Sequence, residues 1–226
     1  MPEIAASRIY VGTQTRSRSR LVSADPPEVR ALDAIGAILL LILFAPLMAL
    51  VALGVFISDP GPVLFRQKRM GRDGELFNCL KFRTMTVDAE ARLANLLAND
   101  AAARAEWDRD QKLKNDPRIV GIGQFLRKSS LDELPQLFNV LRGEMSLVGP
   151  RPIVPDEVCR YGRYFEHYCS VRPGITGLWQ ISGRNDVDYR RRVAFDVIYA
   201  RKATLSGNVK ILLLTVPSVL ASRGSY

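Results

Sequence analysis

From Ala34 to Ile57 the chain runs for 24 residues without a charge, and Pro46 stands at the centre of the run. As a helix this stretch is roughly 36 Å long, enough to cross a hydrocarbon core of about 30 Å. A soluble helix buried on every side is the weaker reading at that length. Both flanks are basic: Arg8, Arg16, Arg18, Arg20 and Arg30 precede the run, and Arg66, Lys68, Arg69, Arg72, Lys81 and Arg83 follow it. The positive-inside rule therefore finds no outer end. Pro46 removes one helical hydrogen bond and its ring presses on the carbonyl four residues back, which kinks or breaks a helix. A helix interrupted there can enter and leave the bilayer by the same face. The expectation is a re-entrant membrane hairpin over residues 31–58 with both ends cytoplasmic.

Before this run, residues 1–30 read as a disordered basic tail, with Arg-Ser-Arg-Ser-Arg at 16–20 and little apolar periodicity. The apolar segment begins too late for a cleavable signal peptide, and no small-residue cleavage site follows it. After it, residues 59–226 have room for one cytosolic domain. The formal net charge of +9 favours anionic partners, although it also serves plain solubility. Three cysteines, Cys79, Cys159 and Cys169, form no CxxC pair, which argues against a disulfide scaffold or a zinc site and for a reducing compartment. One histidine, His167, excludes a multi-histidine metal centre by count.

The element pattern is α+β. Val63-Leu64-Phe65 and Leu76 to Phe82 flank a turn at Gly71-Arg72-Asp73-Gly74 and read as a β-hairpin. Alternation along the second strand places Phe77, Cys79, Lys81 and Arg83 on one face. Residues 88–113, rich in Ala, Leu and alternating charge, read as one surface helix. Leu134, Leu137, Phe138 and Leu141 follow helical spacing, and Gly143 closes that helix. Residues 187–203 read as another helix. Lys210 to Ser222 is apolar, too short to span, and suited to the membrane interface or to the core. No P-loop, GxSxG elbow or dinucleotide glycine fingerprint is present.

Two adjacent carboxylates, Asp132 and Glu133, sit where a helix begins, among Arg118, Arg127, Lys128, Arg142 and Arg151. Ser130-x-x-Glu133 has the form of a capping box. With Ser130 as N-cap, however, Pro135 is the fifth helical residue and costly; with Asp132 as N-cap it falls in the tolerated first turn. At that position the helix dipole favours ionised acids, which suits a nucleophile, a metal ligand or a plain cap. In Gly149-Pro150-Arg151-Pro152 two prolines restrict the backbone around one arginine, which loses little freedom when it grips a phosphate; an ordinary rigid loop has the same composition. Lys81 and Arg83 of Lys81-Phe82-Arg83-Thr84-Met85 are two cations on one strand face, solvated or aimed at a diphosphate. Asp196 shares a helix face with Tyr189, Val193 and Ala200, where a carboxylate is paired, with Arg192 for instance, or functional. Arg172-Pro173-Gly174 through Trp179-Gln180 to Ser182-Gly183-Arg184 offers close backbone approach and either a stacking tryptophan or a core one.

In this order these strings resemble the bacterial sugar transferase family, the small monotopic phosphoglycosyl transferases, over about residues 31–226. The resemblance rests on Lys81 to Met85, Asn115-Asp116-Pro117-Arg118, Phe125 to Gln136, Met145 to Pro152, and Arg172 to Gln180. It implies transfer of a hexose 1-phosphate from a UDP-sugar, with glucose or galactose favoured, to undecaprenyl phosphate, giving the lipid diphosphosugar and UMP. It implies an Asp-Glu dyad at Asp132 and Glu133, a required Lys81, a required Asp196, and Mg²⁺ as cofactor, with Glu133 either a metal ligand or an assistant to the second attack. Asp132 is then the nucleophile of a ping-pong reaction, with Arg83, Arg118, Arg127, Arg151, Arg172, Trp179 and Arg184 on the substrate side. The implied location is the bacterial inner membrane with the catalytic domain facing the cytoplasm. The implied partners are UDP-sugar, undecaprenyl phosphate and membrane lipids, without nucleic acid and with no oligomeric state assigned. Family members break the membrane helix at Ser-Pro; here the pair is Ala45-Pro46. The chain resembles the minimal form serving exopolysaccharide synthesis. Two other classes fit parts of the sequence: a membrane-anchored lipid- or nucleic-acid-binding adaptor, and a glycosyltransferase that releases UDP.

Overall fold

The computed structural model describes residues 26–110, 113, 116–119, 121–182 and 188–220; the Arg/Ser tail up to residue 25, Asn115 and Arg184 lie outside the described residues. The architecture is α+β, with one long apolar helix and, among the described residues, two small two-stranded sheets.

Helix α1 spans Pro27–Ser58, 32 residues with Pro46 inside. It is long and apolar enough to cross a membrane. It is a single helical element, so the two limbs expected from Pro46 are not seen as separate helices. Its surface is apolar and open: Ile42 and Leu43 are each 68% exposed and Ile57 70%, an apolar face of the kind that marks a membrane or partner surface.

Strands β1 (Leu64–Met70) and β2 (Leu76–Phe82) pair across the expected turn, in which Asp73 takes φ 59° and Gly71 N–H bonds to Glu75 O. The 88–113 segment departs from expectation. It forms two helices, α2 (Ala89–Asn99) and α3 (Ala101–Asp110). Asp100 between them is extended, and its carboxylate accepts the N–H groups of Ala102 and Ala103 at 2.9 Å. A side chain that caps the second helix ends the first. Helix α4 (Gly123–Ser129) leads into a 3-10 turn at Leu131–Glu133, followed by α5 (Gln136–Arg142). Gly143, at φ +80°, ends α5 as expected.

Strand β3 (Ser146–Val148) pairs in parallel with β4 (Gly174–Thr176), Ser146 opposite Gly174 and Val148 opposite Thr176. Between them lie the short helices α6 (Val158–Tyr161) and α7 (Phe165–Cys169). Then come α8 (Leu178–Ile181), α9 (Tyr189–Lys202) and α10 (Leu205–Leu220). The expected 187–203 helix is α9. The C-terminal apolar stretch is α10, which places Ile211 in the core and leaves Leu213 and Val216 exposed.

The chain divides into two compact units. One comprises residues 26–41, Arg66–Cys79 and 136–220; its cores gather Ala37, Phe77, Leu137, Val140, Met145 and Val148, and separately Met70, Ile153, Tyr161, Tyr168 and Val193. The other comprises Ile42–Phe65 and Leu80–Pro135 around Val51, Val55, Phe82 and Leu126. The two ends of α1 are thus each packed on folded chain, Ala37 in one core and Val51 and Val55 in the other.

Candidate active site

The second unit brings together the strings around Lys81, Arg118 and Asp132. Thr84 follows β2, Met85 forms a bridge with Ile119, and Thr86 N–H bonds to Arg118 O at 2.9 Å. Lys81 extends from β2 toward the acidic pair. Its Nζ lies 2.7 Å from Glu133 Oε1 and 3.6 Å from Asp132 Oδ2.

The helix-start expectation needs correction here. Asp132 and Glu133 belong to the 3-10 turn before α5, Ser130 precedes them in the left-handed conformation (φ 59°), and no side chain caps the turn. Pro135 comes just ahead of α5 and so occupies neither of the positions weighed from sequence. Asp132 is buried, only 8% exposed, so the dominant influence on its carboxyl is desolvation, not a helix dipole. Burial pushes its pKa above the ordinary carboxylate range, the neighbouring Glu133 charge adds to that, and Lys81 and Arg127 oppose it. Tertiary burial thus works against the ionised form, an influence that local helix-dipole reasoning does not contain.

The arginines of this unit divide sharply. Arg83 is buried and committed: its guanidinium bonds to Asp59 O and lies 3.3 Å from the Asp59 carboxylate. Arg118 is held in a bidentate fork by Asp116, Nε to Oδ1 at 2.8 Å and Nη2 to Oδ2 at 2.6 Å, and lies over the Trp107 ring at 5.0 Å. Arg127 donates Nε–H to Thr84 Oγ1 at 2.9 Å. Among the described residues its terminal nitrogens have no hydrogen-bond partner, which leaves that end of the guanidinium suited to an anion.

The other unit holds the remaining candidates. Asp196, 3% exposed, accepts a 2.7 Å hydrogen bond from the Tyr161 hydroxyl. Burial pushes its carboxyl up to about 7, against the pull of Tyr161 and Arg192. Its partner is thus a tyrosine 35 residues away, which sequence spacing did not suggest, with Arg192 acting at longer range. Trp179 is a core residue: it is 3% exposed and its ring is covered by the Arg192 guanidinium at 4.7 Å. The stacking role proposed for its ring therefore has no open face. Arg151 is exposed between buried Pro150 and Pro152. Its loop is clamped by Met70 N–H to Ile153 O, by Arg69 to Pro152 O, both at 2.9 Å, and by Ile153 N–H to the Tyr168 hydroxyl. Gly149 and Gly174 carry the closest approach, where a Cβ on either residue would overlap the other's backbone. Arg172, half-buried, acts electrostatically on Asp33.

Sequence reasoning missed Asp33, Asp59 and Thr84. Asp33 is 1% exposed and accepts Ser146 Oγ–H and Leu147 N–H; a lone acid at the edge of an apolar run was the available signal. Among the described residues no three His, Cys, Asp or Glu side chains gather to hold a metal. The donor set is the carboxylate pair Asp132 and Glu133. Mg²⁺ is commonly held by one or two carboxylates together with substrate phosphates, so the pair fits such an ion without an all-protein cage.

The model of the family described as bacterial sugar transferase matches residues 28–222, so the chain belongs to that family. It is 53% identical over 197 residues to the undecaprenyl-phosphate galactose phosphotransferase of Salmonella typhimurium, covering 87% of this chain and 41% of that protein. It is 49% identical over 197 residues to the exopolysaccharide production protein ExoY of Sinorhizobium fredii, covering 87% of each. It is 40% identical over 205 residues to the UDP-glucose:undecaprenyl-phosphate glucose-1-phosphate transferase of Escherichia coli, covering 87% of this chain and 41% of that protein. The chain therefore spans about two fifths of the length of the first and third of these relatives.

Proposed function

We propose that this protein transfers a hexose 1-phosphate from a UDP-sugar to undecaprenyl phosphate, with Asp132 as the nucleophile. The observation that carries the reading is the placement of Asp132: a buried carboxylate beside one lysine and one glutamate, within the electrostatic reach of Arg127. Such a group is nucleophilic once ionised, and it is surrounded by the cations that a diphosphate requires.

Asp132 Oδ attacks the β-phosphorus of the UDP-sugar. The bond from that phosphorus to the bridging oxygen breaks, and UMP leaves with the oxygen. The sugar 1-phosphate is then an acyl phosphate on Asp132. A phosphate oxygen of undecaprenyl phosphate attacks the same phosphorus, the bond to Asp132 breaks, and the lipid diphosphosugar leaves with the carboxylate restored. Lys81 favours the ionised form of Asp132 against the effect of burial and holds Glu133 in place; Arg127 binds phosphate oxygens. Asp132 and Glu133 are the residues that would hold Mg²⁺, which supplies charge neutralisation on the phosphates.

The proposed setting is the inner membrane, with α1 re-entrant at Pro46 and the catalytic residues cytoplasmic. Support comes from the helix ends: Arg30 and Asp33 bond to polar groups of residues 140–147, and Val55 packs with Phe82 and Leu126. Each end is thus tied by part of its surface to folded chain of its own unit. A cysteine placed near the N-terminus and labelled strongly from the periplasm of intact cells would refute that topology.

The test of the reaction is a panel of UDP-sugars with Mg²⁺ and polyprenol phosphate. UMP release and trapping of labelled sugar phosphate on wild type but not on Asp132→Asn are expected. UDP as the product, or an Asp132→Asn protein with wild-type rate, overturns the mechanism; no turnover of any donor favours the adaptor reading.

A further inference from the structure

We propose that Thr84 is a positioning residue, whose hydroxyl fixes the guanidinium of Arg127 for end-on binding of a phosphate. This rests on the reaction proposed above and adds a part to it that neither the strings nor the family resemblance assigns.

Arginine brings a planar fork of five N–H donors on a long, mobile side chain. Its value at a phosphate depends on that fork being oriented before the ligand arrives. In Arg118 the orientation is complete, but a carboxylate sets it: Asp116 takes Nε and Nη2 and offsets the positive charge. In Arg127 the arrangement differs. Nε–H is donated to Thr84 Oγ1 at 2.9 Å, a neutral acceptor that leaves the positive charge intact. With Nε fixed, the plane of the guanidinium is set, and Nη1 and Nη2 together form the edge that remains.

Thr84 is rigid enough for the task. The residue is 8% exposed, and a β-branched side chain has few rotamers to lose. The next residue, Met85, is bridged to Ile119. Thr84 O packs on Gly123, where any Cβ would overlap it; Gly123 opens α4, the helix that carries Arg127. The acceptor and the arginine are thus locked to one another through two separate contacts.

The phosphate could come from the UDP-sugar or from undecaprenyl phosphate, and the ping-pong scheme allows KM to be measured for each. Thr84→Val keeps the shape and removes the acceptor. The expected result is an increase in KM of about five- to tenfold for one of the two substrates, the scale of one charge-assisted hydrogen bond, with kcat changed about twofold or less. Thr84→Ser, which keeps the hydroxyl, stays close to wild type. In an Arg127→Ala background, Thr84→Val adds nothing. Thermal melts accompany each variant, and Thr84→Ala replaces the valine form if that one does not fold. An unchanged KM in Thr84→Val, an equal loss in the Arg127→Ala background, or a serine variant as weak as the valine variant overturns the proposal. Wild-type protein that releases no UMP defeats the parent reading instead, so the two failures are told apart.

Discussion

Lys81 Nζ stands 2.7 Å from Glu133 Oε1, closer than its 3.6 Å to Asp132. The lysine therefore bonds to the second acid of the pair and acts on the first mainly through its field. Asp132 is already pushed upward by burial and by Glu133, and Lys81 is the largest opposing influence. Replacing Lys81 by methionine removes that opposition. Lys81→Met is expected to lower kcat/KM by at least about a hundredfold, from lost phosphate and nucleophile electrostatics. It should also move the acidic limb of the pH–rate profile to higher pH. A profile with an unmoved acidic limb would show that the limb does not report Asp132.

Ser130 turns the chain into the dyad with φ 59°, in the left-handed region that side chains other than Gly, Asn and Asp seldom adopt. What the turn requires is the backbone shape, since the Ser130 side chain makes no cap. Ser130→Gly is expected to keep activity and to stay within about 1 kcal/mol of wild-type stability, the easier left-handed turn offsetting the greater entropy of the unfolded chain. Ser130→Val puts a β-branched residue there and should cost about 1–3 kcal/mol together with activity, because Asp132 follows two residues later. Thermal melts and UMP release on the two variants measure the contrast; equal behaviour of glycine and valine would refute it.

Asp196 offers a pH test of stability. Its carboxyl is raised to about 7 in the folded protein, while an unfolded aspartate titrates near 3.9. Between those values the folded state holds the extra proton, so this group's contribution falls as pH rises through the window and is flat above it. The loss across the window is on the order of 4 kcal/mol at most. Asp196→Asn keeps an oxygen for the Tyr161 hydroxyl and carries no charge. The variant should gain on wild type as pH goes from about 4 to 7 in urea unfolding, even if its activity falls. A stability difference that does not change with pH would show that Asp196 is not held protonated by burial.

The parts legible from sequence were those with local signals. The apolar run became α1, the glycine turn joined β1 to β2, and the 187–203 pattern became α9 with Asp196 on its buried face. The grouping of Lys81 with Asp132 came from ordered strings, not from periodicity. What stayed hidden depends on partners far away in the chain. Three-residue strands such as β3 and β4 are too short for any alternation to show. Trp179 reads equally well as a stacking platform and as core until Arg192 is seen on its ring. Local dipole reasoning at Asp132 could not register the burial that dominates it, and Arg83 could not be separated from Lys81 until Asp59 appeared beside it.

The membrane helix is tied to its neighbours at the end that precedes the apolar run, and those ties are testable. Arg30 donates to Val140 O at 2.6 Å and to Leu141 O at 2.7 Å. Those carbonyls belong to the last turn of α5, where a cation is favoured; Val140 O also accepts Gly143 N–H at 3.0 Å. One helical turn further on, Asp33 accepts Ser146 Oγ–H at 2.9 Å and Leu147 N–H at 2.8 Å. Asp33→Ala leaves both donors buried without this acceptor. The expected cost is about 1–3 kcal/mol for each unsatisfied group. Asp33→Asn retains one oxygen and should lose less than Asp33→Ala, as should Ser146→Ala, which leaves Leu147 N–H on Asp33 but takes an acceptor from Val148 N–H. Melting of the three variants in detergent checks the order. If Asp33→Ala melts with wild type, the acid does not anchor α1 to β3, and the support it lends to a helix held at both ends falls with it.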